Sequence, residues 1–191
     1  LSMAVLSNYY IGYMTCIFVA VYFFYAYFSR TPDERNPHGL SNHFAKSFLR
    51  IAIFSVIVVA VSAIMILPAY YSLTFGKTTF SDPSFDLKSK FDLADMLTML
   101  FFGSYDTVRP EGLPLLYSGM LTLMLVPLYF FAPHIKTREK AASGLLILFF
   151  VLSFNASTLD LIWHGMQKPN WLNYRYSFML CFMLILFAYK A

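Results

Sequence analysis

Asn8–Phe28, NYYIGYMTCIFVAVYFFYAYF, runs for 21 residues without a charged side chain. Coiled as one α-helix it is about 31 Å long, close to the thickness of a bilayer's hydrocarbon core. The rest of the chain is written in the same way: 59% of its residues are apolar, 19% aromatic and 13% charged, about half the charge of an ordinary soluble domain. Working outward from the first run, apolar stretches recur near 50–73, 113–131, 141–162 and 174–191. With 8–28 they predict an all-α polytopic integral membrane protein of about five transmembrane helices.

Each later run carries a complication. Pro68 is placed to kink the end of the second, and Pro127 interrupts the third. The fourth has an apolar heart, Ala141–Phe154, of 14 residues, only about 21 Å as a helix. It has to borrow from Asn155–Ile162, which brings Asp160 toward the membrane rim. An acid there is a functional candidate, with a helix N-cap or a partner for Arg175 as the alternatives. Leu1 and Ala191 both lie close to apolar runs, so the chain reads as an internal piece of a larger membrane protein.

Loop charges set the expected orientation. The segments 29–50 (Arg30, Arg35, Lys46, Arg50) and 132–140 (Lys136, Arg138, Lys140) are short and basic, the signature of cytoplasmic loops. The long loop 74–112 has four Lys/Arg against six Asp/Glu and is assigned to the outer side. Within it, Leu93, Met96, Leu97, Leu100 and Phe101 follow helical spacing. They predict a short amphipathic helix to Phe102 that lies in the membrane interface or packs on neighbouring spans, with Asp92 and Asp95 toward water and Gly103 stopping it. The net charge of +4 thus reflects loop cations and is no nucleic-acid signal. Cys16 and Cys181 fall in apolar runs as small hydrophobes. His38 and His43 have no carboxylate or Cys company, so no metal site is expected.

Polar groups then collect on one face. Trp163–Phe178, WHGMQKPNWLNYRYSF, sets Trp163, His164, Gln167, Lys168, Asn170, Trp171, Asn173 and Arg175 between apolar runs, where they are costly unless they meet a cavity or one another. In Gly103–Pro114, GSYDTVRPEGLP, Asp106 and Glu111 flank Arg109; solvated charges around a turn are the alternative reading. Tyr9 and Tyr10 rim the first span, either as an aromatic belt or as a sugar-contacting edge. The Asp106/Arg109/Glu111 loop and the Asn170–Arg175 stretch are expected to converge on a single outer cavity. The chain has no Walker loop, GxGxxG, HExxH, CxxC or GxSxG. Asn155-Ala-Ser157 matches a glycosylation sequon, which chance also produces. Carboxylates for proton transfer, arginines that fork onto phosphate and aromatic faces for sugar rings together suit group transfer from a lipid-linked phosphate. Transporters and receptors carry polar rims as well.

Gly103–Pro114, Trp163–Phe178 and Leu6–Tyr13 (LSNYYIGY) resemble the YfhO family of bacterial multispanning membrane proteins, and the resemblance covers essentially the whole chain. It implies a polyprenyl-phosphate-dependent glycosyltransferase of the GT-C architecture that adds sugars to teichoic acids outside the cell and needs no cofactor. The implied partners are a lipid-linked sugar donor, a cell-envelope glycopolymer acceptor and membrane lipids. In that architecture the catalytic Asp usually sits in the first outer loop, which this chain is expected to follow, so Asp106 and Glu111 are secondary candidates for catalysis. Arg109 and Arg175 are the candidates for the donor phosphate; snorkelling to the interface is the alternative for Arg175. Tyr9, Tyr10, Trp163, His164, Gln167, Asn170, Trp171 and Asn173 are the candidates for the sugar or lipid head. A transporter or flippase segment, or a non-catalytic scaffold, would use the same residues differently.

Overall fold

A computed structural model describes residues 1–36, 39, 42–76, 89–104, 112–166 and 173–191, with the backbone alone at 69, 70 and 72–76. Among them the regular structure is all helical, as expected, with one isolated antiparallel bridge between Ser89 and Ala156. The chain divides into two compact units, Leu1–Ser81 and Asp82–Ala191.

The first unit contains α1 (Ser2–Ser7), α2 (Tyr9–Ser29), α3 (Pro32–Arg35) and α4 (His43–Gly76). Asn8 separates α1 from α2 with an extended backbone, and its carboxamide accepts the Tyr10 and Ile11 amides at 3.1 and 3.2 Å. This N-cap satisfies donors that the first turn of α2 would otherwise leave open. Gly12 lets α1 lie against α2, since a Cβ there would fall 2.5 Å from the Val5 Cα. Gly12→Ala is therefore expected to push the two helices apart at a cost of about 1–3 kcal/mol. Gly144→Ala is the control, because its Cβ would meet only Phe130, at 4.0 Å. Equal thermal unfolding midpoints for the two variants in detergent would refute the close approach.

α4 has 34 residues and so extends beyond the run expected at 50–73. It starts at His43, taking in Lys46 and Arg50, and runs on through Pro68. Phe23, Phe24 and Tyr27 of α2 pack on Phe44 and Phe48 of α4, the closest rings being Tyr27 and Phe44 at 5.0 Å. Tyr9–Ser29 and His43–Pro68 are both long and apolar enough to cross a bilayer. Most of the apolar surface of α4, from Ile53 to Leu67, is exposed. In water so large a patch would have no partner, whereas lipid tails supply one.

The second unit contains α5 (Leu93–Thr98), α6 (Met120–Phe131), α7 (Thr137–Asn155), α8 (Ser157–Trp163) and α9 (Ser177–Lys190). The amphipathic helix is present as α5 and is capped by Asp92, which accepts the Ala94 amide at 3.0 Å. It stops at Thr98, short of Phe102. Met96 within it and Met99 just beyond it are buried, while Leu93, Leu97 and Phe101 stay exposed along with Asp92 and Asp95.

The run expected at 113–131 is helical only from Met120. Pro114 cannot donate an amide, and Gly119 turns into α6 at φ 97°. The non-helical 112–119 segment still buries Pro114 and Leu116. α6 packs on α9 through Tyr129 and Phe187, stacked at 5.1 Å, and the Tyr129 hydroxyl reaches Ser143 of α7 at 2.8 Å. α7 gains its length at the other end from the one expected. It starts at Thr137 and ends at Asn155, because Ala156 takes an extended conformation (φ −86°, ψ 118°) and α8 begins afresh. Its 19 residues span about 28 Å. Lys190 at the end of α9 pairs with Glu139 of α7, and the Lys190 carbonyl is 3.2 Å from His134 Nε2.

Candidate functional site

The break at Ala156 makes the site. A helix that ends there leaves backbone groups to satisfy, and residues 89–91 of the long loop dock on it as a strap. The Asn155 side-chain oxygen accepts the Ser89 hydroxyl and the Lys90 and Phe91 amides at 3.0, 3.1 and 3.3 Å. The Lys90 amide also lies 3.0 Å from the Asn155 carbonyl. The strap is thereby fixed, and it delivers the Lys90 side chain to α8.

Lys90 Nζ donates to Asp160 Oδ2 at 2.5 Å, across 70 positions of sequence. The Tyr176 hydroxyl lies 2.9 Å from both Asp160 Oδ1 and the Ser153 carbonyl, so one proton is shared between them. His164, one turn along α8, places Nε2 3.4 Å from Oδ1. Asp160 is 1% exposed, and the Lys90 side chain 27%. A lone carboxylate at that depth would be prohibitive; one with a cation and a hydroxyl donor is tolerated. α8 lies outside the two helices that are long and apolar enough to cross a bilayer. Burial alone would raise the Asp160 carboxyl, but His164 and the Lys90 ammonium outweigh it and hold the group below the ordinary carboxylate range.

An aromatic layer supports the cluster. Tyr176 lies flat on Trp163 at 4.6 Å and on Phe154 at 4.9 Å, and Phe150 stacks on Trp163 at 5.6 Å. The Lys90 ammonium sits 5.3 Å over the Tyr174 ring, and Phe91 meets the same ring edge-on at 5.9 Å. Tyr174 adopts a left-handed backbone (φ 58°), uncommon for a bulky residue, which sets Tyr174 and Tyr176 on the same cluster.

The expected site residues divide accordingly. Trp163 is 1% exposed; expected to offer a face to a sugar, it instead spends its ring on Phe150 and Tyr176. His164 is likewise buried and turned to Asp160. Asn173 and Arg175 are half-buried, the first with its side-chain oxygen enclosed and the second with its Nε enclosed. Tyr9 is exposed and Tyr10 half-buried, both in the other unit. Asp106, Glu111, Arg109, Gln167, Asn170 and Trp171 lie outside the described residues, and with them the expected convergence of the two loops. His43 stacks on Tyr27 at 6.0 Å. Among the described residues no group of three His, Cys, Asp or Glu is placed to hold a metal ion.

Lys90, Asn155 and Tyr176 were missing from the expected site. Asn155 and Asp160 had a signal, being polar beside an apolar run. Lys90 had none, as one of four cations in a long loop.

Described residues whose regular structure is all helical, with two helices fit to cross a bilayer and a strapped ion cluster where a third ends, define an α-helical membrane protein. The chain belongs to the YfhO family: the family model described as "Bacterial membrane protein YfhO" matches residues 1–191. No curated protein and no solved structure matches it.

Proposed function

We propose that the chain is part of a membrane glycosyltransferase that moves a sugar from a polyprenyl-phosphate donor to an extracytoplasmic cell-envelope glycopolymer such as teichoic acid. The observation that carries this reading is the docking of residues 89–91 on the α7–α8 break. It joins the long loop to the stretch leading into Trp163–Arg175, the two polar regions that charge distribution assigns to the outer side. In the same reading the apolar helices form about five crossings and the basic loops face the cytoplasm.

In the reaction, a carboxylate takes the proton of the acceptor hydroxyl as its oxygen forms a bond to the sugar's anomeric carbon. The bond from that carbon to the phosphate oxygen breaks, and the prenyl phosphate leaves with its charge held by cations. Asp106 and Glu111 are the candidates within this chain for the base. Arg109 and Arg175 are the candidates for the phosphate, because a planar guanidinium can hold two oxygens at once and stays charged when desolvated.

The test is sugar transfer by the full-length Arg175→Lys and Arg109→Lys variants, with membrane abundance as control. A phosphate-gripping fork should lose about 10- to 100-fold on replacement by a point charge. A snorkelling arginine should tolerate lysine. Wild-type transfer by both variants removes these arginines from the site. Lipid translocation without sugar transfer by the unaltered protein points to the transporter or flippase.

A further inference from the structure

The geometry points to Lys90 as a ligand for a phosphoanion, held in place by Asp160 and partly exposed beside the buried cluster. A lysine needed only to neutralise a buried acid could reach it from a loose loop. Lys90 instead is fixed at both ends, by the Asn155 carboxamide and carbonyl on its backbone amide and by Asp160 and the Tyr174 ring at its ammonium. Such fixing lowers the ordering cost of a long, flexible side chain when a ligand arrives.

The charge balance supports the same role. Asp160 is shared among Lys90, the Tyr176 hydroxyl and His164, so its negative charge is spread over three neighbours. An ammonium has three N–H donors, and one of them is committed to Oδ2. The carboxylate is enclosed while the Lys90 side chain keeps 27% of its surface open, so Lys90 is the more accessible partner of the pair. A compact cation on a preorganised stem suits phosphate oxygens as a point charge. The ligand is a phosphate group, carried by a prenyl lipid or free. Assigning it to a lipid-linked sugar donor rests on the proposed transferase reading; binding of the phosphate does not.

The experiment uses the full-length protein in lipid nanodiscs, with a short-chain prenyl phosphate, the matching prenyl alcohol and inorganic phosphate as probes. The prenyl phosphate should protect Lys90 from an amine-reactive label, and the alcohol should not. Lys90→Met and the charge-paired double variant Lys90→Met/Asp160→Asn should both bind the prenyl phosphate about tenfold more weakly or worse. The double variant leaves no buried charge behind and should recover the unfolding midpoint that the single one loses. Unchanged labelling of Lys90, or wild-type binding by the folded double variant, overturns the assignment and reduces Lys90 to a counter-ion. Lys90-dependent binding of inorganic phosphate identifies the free anion as sufficient; binding of the prenyl phosphate alone identifies the lipid-linked source. Lys90-dependent binding without sugar transfer by the unaltered protein keeps the site and overturns the transferase reading, and transfer with Lys90-independent binding does the reverse.

Discussion

Asp160→Ala is expected to destabilise the protein by about 3–5 kcal/mol, because it strands the cation and the hydroxyl gathered around a buried carboxylate. Lys90 would keep its charge beside an apolar layer, and Tyr176 would be left with the Ser153 carbonyl as its acceptor. Asp160→Asn keeps one of the two acceptor oxygens and should lose less. Thermal unfolding in detergent reads the difference, and equal midpoints for wild type and Asp160→Ala would show that the cluster contributes nothing to stability. The pH dependence has a definite sign. Asp160 is held below its unfolded value, so its contribution is complete above the unfolded carboxylate pKa and lost as pH falls through the folded one. The wild-type midpoint should drop along that acid limb, and Asp160→Asn should remove the part due to this group.

The helical class was legible because a run such as Asn8–Phe28 has one stable solution in lipid, a helix that closes its own hydrogen bonds. Helix ends were less so, for local reasons. Pro114 and Gly119 delay α6 although Leu113–Phe131 carries no charged residue, since hydropathy records solvent and says nothing about φ or a missing amide. Ala156 breaks α7 although alanine is the best helix former; what favours the break is the strap, which donates hydrogen bonds to Asn155 from more than sixty residues away. The same distance hid Lys90. Asp160 could be singled out as an acid among apolar residues, but a partner chosen by tertiary docking leaves no periodic trace in its own loop. Trp163 and His164 were legible as special and were given the wrong setting. An aromatic beside polar residues reads as an interface anchor, and only the packing of Phe150, Phe154 and Tyr176 makes it core.

Trp163→Ala separates those two settings. A tryptophan at a membrane or sugar interface loses little on truncation beyond its own contacts, and the fold changes by about half a kcal/mol or less. Trp163 is 1% exposed and stacks face to face with Tyr176 at an interplanar angle of 6°, so truncation opens a cavity between α7, α8 and the start of α9. Emptying a site of that size costs about 3–5 kcal/mol, more than neighbouring rings recover by relaxing. The damage also spreads to the ion cluster, because Tyr176, which donates to Asp160, would lose one face of its support. Trp163→Phe keeps a ring against Tyr176 and Phe150 and should recover a large part of the loss. The measurement is the unfolding midpoint of the two variants together with Lys90 labelling, which should rise in Trp163→Ala as the strap loosens. A midpoint for Trp163→Ala within error of wild type would return this residue to the rim.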